Sequence, residues 1–307
     1  MAKNKRSQLH RESTFRRIWR TRQGYALLAP YFLLFFMFTV LPVIMAIALS
    51  FTSFNMLQPP QFVGWENYIR LFLENEVFMI ALQNTLIFAV VTGPLSYVMC
   101  FGLAWIINEM RPKLRAVMTV IFYAPSISGN VFFIWGFFFS GDRYGLVNGF
   151  LLRWGIESDP INFFRDPDYI LPLLLLVQLW LSLGVGFLAF IAGLQTVDKS
   201  MYEAAAVDGI QNRWQELWFI TLPSMKPQLM FGAVMQITTS FAIAETSTAL
   251  AGLPSVNYAG ETIVTHMMDF GWIRFEMGFA SAIATILFFM MLGTNKAVQH
   301  LLRRVGT

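Results

Sequence analysis

The chain has 307 residues, of which 56% are apolar and only 13% are charged. Soluble domains carry about 25% charged residues, so this composition excludes an ordinary water-soluble protein, and the single cysteine, Cys100, excludes an internal disulfide and a cysteine-built zinc site. The net charge of +4 is compatible with nucleic-acid binding only if the basic residues form a patch.

The first 22 residues form a basic segment with eight Lys and Arg residues. The apolar run that follows is far longer than the ~7–15 residues of a signal-peptide core. We therefore expect a retained first membrane span and interpret 1–22 as a cytoplasmic N-terminal segment. Residues 23–307 are expected to form one all-α integral membrane domain.

Long runs without Asp, Glu, Lys or Arg divide the rest of the chain. A helix needs roughly 20 apolar residues to cross a bilayer, because each residue adds about 1.5 Å. The sequence therefore predicts six transmembrane helices, at 25–53, 79–108, 116–140, 169–196, 228–250 and 277–297.

Basic residues are distributed unequally between the two sides of this arrangement. The side with both termini holds 17 Lys and Arg residues, and the other side holds five. Such an excess marks the cytoplasmic side, so both termini are expected in the cytoplasm of a bacterial cell. The positive charge is then a signal of topology and predicts no nucleic-acid partner. Apart from Lys296 at the cytoplasmic end of the last span, Glu245 is the one charged residue inside a predicted span.

The cytoplasmic loop 197–227 is patterned as a helical hairpin. Ser200 and Glu203 have the spacing of a capping box, Gly209 is typical of a left-handed helix stop, and Asn212 predicts the start of a second helix that ends before Pro223. Trp214, Leu217 and Trp218 are expected to form one apolar patch. From this pattern alone, the hairpin binds a partner or lies on the lipid interface.

The same loop resembles the EAA signature of the permease subunits of binding-protein-dependent ABC importers. The matching residues are Glu203-Ala204-Ala205, Asp208-Gly209 and Ile220-Thr221-Leu222-Pro223. Ten residues separate Gly209 from Ile220 where the family usually has nine, and we place the extra residue in the turn of the hairpin. Three further segments resemble the carbohydrate-uptake branch: Gly24-Tyr25 with Pro30, Phe62-Val63-Gly64-Trp65-Glu66-Asn67-Tyr68, and Asn84-Thr85-Leu86.

This resemblance implies the type I importer (MetI-like) permease fold and a set of partners. They are a second homologous permease, giving a heterodimer, cytoplasmic ATPase subunits, an extracellular solute-binding protein and membrane lipid. ATP and Mg would be used by the ATPase subunits. This chain has no G-x-x-x-x-G-K-[ST] loop, and we predict no catalytic residue, cofactor or metal site in it. The residues predicted to couple to the ATPase are Glu203, Ala204, Ala205, Asp208, Gly209, Trp214, Leu217 and Trp218.

A path for a sugar needs polar side chains inside the bundle. The candidates are Gln178, Trp180 and Ser182 in the fourth predicted span and Gln236, Thr239, Ser240 and Glu245 in the fifth. The alternative is that these side chains join neighbouring helices by hydrogen bonds. Counting along one continuous helix puts Glu245 near the outer mouth and opposite Gln236, facing either the path or a partner.

The predicted function is therefore that of a sugar or oligosaccharide permease without catalytic activity of its own. One alternative keeps the family but carries another solute, such as glycerol phosphate. No Lys or Arg lies in the interior of a predicted span, which favours a neutral ligand. The alternative from a different class is an ion-coupled secondary transporter, which needs coupling acids.

Overall fold

The computed structural model describes residues 22–129 and 131–303. The predicted basic segment 1–22 lies outside them, apart from the backbone of Arg22, which begins the first helix. Most of the described residues are helical, because a helix satisfies the backbone hydrogen bonds of an apolar segment internally. One antiparallel pair of two-residue strands, β1 (Thr52–Ser53) and β2 (Gln61–Phe62), follows the first span.

The helices follow one another in this order: α1 (Arg22–Phe35), α2 (Leu41–Leu49), α3 (Glu66–Ile69), α4 (Glu76–Asn108), α5 (Pro112–Ile127), α6 (Val131–Phe138), α7 (Leu146–Arg153), α8 (Pro167–Leu181), α9 (Val185–Thr196), α10 (Lys199–Val207), α11 (Arg213–Glu216), α12 (Leu222–Ser224), α13 (Lys226–Phe241), α14 (Glu245–Ala251), α15 (Ile263–Met268) and α16 (Met277–Arg303). Single π turns occupy Phe36–Val40, Arg70–Glu74, Leu217–Thr221 and Asp269–Ile273, and a 3-10 turn occupies Val256–Tyr258.

Four helical stretches of the described chain are long and apolar enough to cross a membrane. They are Gln23–Leu49, Glu76–Asn108, Pro167–Thr196 and Met277–Leu302. A fifth is counted if α5 and α6, which are bent by 85° relative to each other, form one span. The boundaries agree with the predictions within about five residues. The first span ends at Leu49, because Thr52 already belongs to a strand.

Two predicted continuous helices are wrong, and a third, 169–196, has a short break at 182–184 between α8 and α9. The run 116–140 is interrupted after Ile127, where Ser128 has an extended backbone (φ −87°, ψ 115°). The run 228–250 is interrupted between Phe241 and Glu245. At this second break Thr262, from a distant loop, donates a hydrogen bond of 2.6 Å to the carbonyl of Ile243. That bond satisfies a backbone acceptor that the interrupted helix no longer pairs.

Helix α4 is the centre of the packing, because each of the three apolar clusters contains at least one of its side chains. Phe78 packs in a cluster with α13, α15 and α16. Cys100 belongs to a second cluster with α9 and α13, and Phe88 to a third with α8. Small residues let the helices approach closely: a Cβ on Gly232 of α13 would lie 2.3 Å from the Phe190 ring of α9.

Helix α1 has no protein cover within the described part of the chain. Its side chains from Gln23 onward are exposed, although nearly all of them are apolar. The contact to the body is made by α2, which packs against α16. An apolar helix surface of this size requires lipid or another subunit around it.

Candidate functional site

Three helix breaks meet at one place inside the bundle. They separate α5 from α6, α8 from α9 and α13 from α14. Two adjoining cavities of about 220 and 260 Å³ lie there and share Ser126, Gln178, Leu181 and Thr239 as lining residues. We call these two cavities together the polar cleft. Non-helical backbone inside a membrane protein is tolerated where it lines a cavity. The polar cleft therefore accounts for how three helices can be interrupted at this place.

The lining of the polar cleft is polar but almost uncharged. The first cavity is also bordered by Tyr123, Ser182 and Gln236, and the second by Ser128, Glu245 and Thr246; Glu245 is the only charged one among the described residues. No Lys, Arg or His lines either cavity in this part of the chain. The cleft therefore offers hydroxyl and amide groups and one carboxylate to a ligand.

Of the predicted path residues, Gln178, Ser182, Gln236, Thr239 and Glu245 line the polar cleft. Thr239 and Glu245 are exposed to it, whereas Ser182 is 9% exposed and Gln236 only 4%. The expectation that Glu245 lies opposite Gln236 loses its basis. It assumed one continuous helix, and the break at 242–244 removes that phase relation.

The two other predicted path residues lie elsewhere. Ser240 faces α4, where its hydroxyl is 3.5 Å from the position of a Cβ on Gly93 and donates to the carbonyl of Ile237 at 3.0 Å. Trp180 packs edge-on against Trp135 of α6, with 5.4 Å between ring centroids. Neither side chain lines the polar cleft, and Ser240 instead borders a mostly apolar cavity between α13 and α4.

Gln236 also joins helices, as the alternative interpretation predicted. Its Nε2 donates to the Sγ of Cys100 at 3.1 Å and to the carbonyl of Ser182 at 3.2 Å. Its Oε1 accepts from the hydroxyl of Thr239 at 3.4 Å. These bonds tie α13 to α4 and to the break after α8. Gln236 thus positions the cleft wall and offers little free hydrogen-bonding capacity of its own.

Gln178 is the amide that remains available to a ligand. The hydroxyl of Thr246 donates to its Oε1 at 2.8 Å, which fixes the amide plane and leaves the NH₂ group facing the cleft without a protein acceptor in the described residues. Sequence reasoning missed Tyr123, Ser126 and Ser128. The segment Pro125-Ser-Ile-Ser-Gly129 did contain a signal, because Pro, Ser and Gly together favour an interrupted helix.

The predicted coupling hairpin forms, with one change at its first helix. Asp198, not Ser200, caps α10, and its carboxylate accepts from the backbone N–H of Ser200 at 3.0 Å. The predicted Ser200–Glu203 capping box is therefore wrong, since an acceptor two residues earlier takes the free N–H. Glu203 is consequently left exposed at the surface with Ala204 and Asp208, while Ala205 is buried. Gly209 ends the helix with φ +95°, as predicted.

The second helix of the hairpin starts as predicted at Asn212, whose side chain accepts from the N–H of Gln215 at 2.9 Å. The predicted apolar patch is wrong in one member: Trp214 and Trp218 are 71% and 65% exposed, but Leu217 is 7% exposed and faces the body. The predicted end before Pro223 is also wrong, because the chain stays helical through Ser224.

The π turn Leu217–Thr221 explains this continuation. Pro223 lies in the first turn after it, where a missing N–H removes no α-helical hydrogen bond. A π turn holds one residue more than an α turn. It therefore offers a second place for the extra residue that was assigned to the turn of the hairpin.

Two contacts fix the hairpin to the end of α4. Arg213 forms ion pairs with Glu109 at 3.1 Å and with Glu216 at 2.6 Å. Trp214 packs on Trp105, with 5.2 Å between ring centroids. Exposed ion pairs contribute little to stability. We therefore interpret these contacts as positioning contacts, through which a displacement of the hairpin would move the end of α4.

The loop 252–262 is anchored to α4 by the motif that resembled the carbohydrate-uptake branch. The Nδ2 of Asn84, which is 6% exposed, lies 2.9 Å from the carbonyl of Glu261 and 3.1 Å from that of Ala259. The hydroxyl of Thr85 accepts from the N–H of Ile263 at 2.9 Å. The motif therefore holds a loop in place.

The same loop and the helix after it contain two buried titratable groups. Burial raises the pKa of Glu261 to about 7, although a hydrogen bond with Thr265 acts in the opposite direction. Burial lowers the pKa of His266 to about 4. The Nε2 of His266 lies 3.1 Å from the Nδ2 of Asn75, whose Oδ1 caps α4. Nε2 must then accept, which favours the neutral imidazole.

Comparison with known proteins identifies the family. Residues 101–306 match the family model described as "binding-protein-dependent transport system inner membrane component". The probable ABC transporter permease YesP of Bacillus subtilis is 31% identical over 86% of this chain and 85% of its own length. The lactose transport permease LacF of Rhizobium radiobacter is 32% identical over 69% of this chain and 70% of its own.

A solved structure supports the same assignment. A crystal structure of a bacterial ABC transporter that imports the acidic polysaccharide alginate superposes with a TM-score of 0.76 and 26% identity, covering 95% of this chain and 99% of the other. The predicted helical type I permease fold and the inner-membrane location are thereby confirmed. The chain belongs to the inner membrane components of binding-protein-dependent transport systems, the permeases of ABC transporters.

Proposed function

We propose that this chain forms part of the translocation path of an ATP-driven importer for a sugar or oligosaccharide. The solute is delivered by an extracellular binding protein, and a separate cytoplasmic ATPase hydrolyses ATP with Mg. The observation that carries the proposal is the polar cleft at the meeting point of three helix breaks.

The chemistry of the cleft suits a neutral, hydroxylated solute. Sugars need donors and acceptors in a confined space, and Gln178, Thr239 and Ser128 supply them. Similar permeases are named for lactose and for arabinooligosaccharides. Glycerol phosphate is less well matched, because an anion calls for cationic side chains and none lines the cleft in the described residues.

The proposed topology has six membrane crossings with both termini in the cytoplasm. The bent pair α5–α6 and the interrupted pair α13–α14 count as one crossing each. The distribution of 17 against five basic residues supports this orientation.

The exposed apolar surface of α1 supports contact with a second, homologous permease, and a heterodimer is the arrangement we propose. A second solved structure of the alginate importer contains a pentasaccharide-bound periplasmic protein, which supports a solute-binding protein as the external partner.

Glu203 is proposed as the contact between the hairpin 197–227 and the ATPase. It is exposed on α10 beside Ala204, and the small neighbouring side chain permits close approach. We therefore expect Glu203→Lys to abolish uptake and to weaken copurification of the ATPase. The matched control is Glu157→Lys, the same change at an exposed site in another loop. Uptake at the wild-type rate in Glu203→Lys would contradict this role.

The function as a whole is tested with the complete complex in proteoliposomes. ATP hydrolysis that is stimulated by the loaded binding protein, together with ATP-dependent accumulation of the sugar that the binding protein carries, is the expected result. Accumulation of a phosphorylated solute would favour the glycerol phosphate alternative. Transport by this chain alone, driven by an ion gradient, would favour the secondary transporter.

A further inference from the structure

Glu245 has an unusual position for an acidic residue of this chain. It is the first residue of α14, directly after the break at 242–244, and its side chain is exposed on the wall of the polar cleft. It has no ion pair in the described part of the protein. The observed pairs there involve the side chains of Arg70, Arg213 and Arg274. The charge of Glu245 therefore acts on whatever occupies the cleft.

The surroundings of Glu245 do not neutralise this charge. Ser128, Gln178, Thr239 and Thr246 border the same cavity, and all four are uncharged. Inside a protein the effective dielectric constant is about 20 or less, so a charge acts more strongly than in water. A cavity with one sign of charge and low-dielectric walls concentrates that field.

We propose that Glu245 makes the polar cleft selective by charge, so that it admits neutral saccharides and disfavours anionic ones such as uronates. A carboxylate accepts hydrogen bonds from two neighbouring sugar hydroxyls, and these charge-assisted bonds are stronger than neutral ones. The free NH₂ group of Gln178, held by Thr246, supplies a donor on the same wall. A neutral sugar thus gains from both groups, whereas an acidic sugar meets a like charge.

This inference rests on the proposed function, because it assigns the polar cleft to the translocation path. It also predicts a charge preference different from that of the similar solved transporter, whose imported polysaccharide is acidic. A carboxylate without a counter-charge in the cleft is the reverse of what an anionic ligand requires. Glu245 is therefore a specificity-determining residue and not only the first residue of a short helix.

The test measures the charge selectivity of the cleft without needing the transported sugar. Ser128→Cys places a thiol on the same cavity wall, and the purified complex is treated with two methanethiosulfonate reagents, one with a trimethylammonium and one with a sulfonate group. The single native thiol of this chain, Cys100, is fully buried, and the complex without the added cysteine gives the background for all subunits. The quantity compared is the ratio of the cationic to the anionic reaction rate.

We expect Glu245→Gln to lower this ratio at least about tenfold at low ionic strength, and Glu245→Asp to retain it. Tyr144→Cys, at a residue that is 91% exposed in the loop after α6, is the control whose ratio should not change with residue 245. A ratio for the Ser128→Cys thiol that stays within twofold in Glu245→Gln would overturn the proposal. So would a thiol at position 128 that neither reagent modifies.

A second measurement covers the case in which Glu245→Gln does not assemble. In the complex with Glu245 intact, the ratio for the Ser128→Cys thiol should exceed the ratio for the Tyr144→Cys thiol and approach it in 1 M salt, where the Debye length falls to about 3 Å. Equal ratios at both sites in low salt would refute the proposal. Either result leaves the proposed function standing, because stimulated ATP hydrolysis by the complex tests that function separately.

Discussion

Asn84 offers the sharpest test of how the loop after α14 is held. Its amide has two N–H donors, and the three carbonyls of Tyr258, Ala259 and Glu261 lie 3.4, 3.1 and 2.9 Å from its Nδ2. Each of the two hydrogen bonds contributes about 0.5–1.5 kcal/mol. Asn84→Leu keeps the volume of the side chain but removes both donors, so we expect a loss of about 2 kcal/mol in the local free energy of opening.

Hydrogen exchange of the purified protein, followed by mass spectrometry, measures this loss. A change of about 2 kcal/mol corresponds to roughly 30-fold faster exchange in peptides that cover 256–264. The control is Gln83→Leu, an exposed neighbour on the same helix, which should leave these peptides unchanged. Exchange within threefold of the wild type in Asn84→Leu would refute the assignment of the motif to anchoring, as would an equal acceleration along the whole chain.

Two further outcomes follow from the packing and the buried charges. In the wild type the pKa of Glu261 is raised to about 7 and the pKa of His266 is lowered to about 4. Between about pH 4.5 and 6.5 the folded loop therefore holds a proton on Glu261 and lacks one on His266, relative to the unfolded chain. The two groups then have opposite effects on the pH dependence of loop stability. Glu261→Gln leaves only the effect of His266, so loop stability in this variant should fall as pH falls from about 6.5 towards 4. Hydrogen exchange of the loop at pH 5 and 7, corrected for the intrinsic rate, measures this change. Loop stability that does not depend on pH in the variant would contradict the expectation. Gly232→Ala should lower the melting temperature, because the added methyl group overpacks against Phe190 at a cost of about 1–3 kcal/mol. The control is Gly102→Ala, at a site with open space around it, which should not lower the melting temperature. Equal melting temperatures for the two variants would show that the Phe190 ring moves aside freely.

The positions of the long helices could be predicted because they depend on composition alone. A stretch such as 79–108 contains no charged residue, and any such stretch must pair its backbone internally in a membrane. The structure extends this helix only to Glu76, where Asn75 caps it. The end of α10 at Gly209 was equally predictable, because a left-handed residue without a Cβ is a local requirement.

The polar cleft could be predicted only in part, because its geometry depends on contacts between distant residues. Thr239 and Gln178 were identified as polar side chains inside apolar runs. The break at 242–244, however, has the sequence Ala-Ile-Ala, which contains no Gly or Pro. The hydroxyl of Thr262 that satisfies Ile243 comes from a residue 19 positions later. A helical count across this break therefore does not determine which face Glu245 occupies.

The anchoring of one loop and the opening of the cleft are parts of the same arrangement. Asn84 and Thr85 hold the loop that ends at Ile263, and Thr262 in that loop holds the break that brings Glu245 to the cleft. Loosening the loop therefore removes the hydrogen-bond donor that pairs the carbonyl of Ile243 and favours a continuous helix from α13 into α14. In that form Glu245 would rotate away from Thr239. If the polar cleft is the translocation path, as proposed, Asn84 and Thr85 thus act through one loop on which face of α14 lines that path.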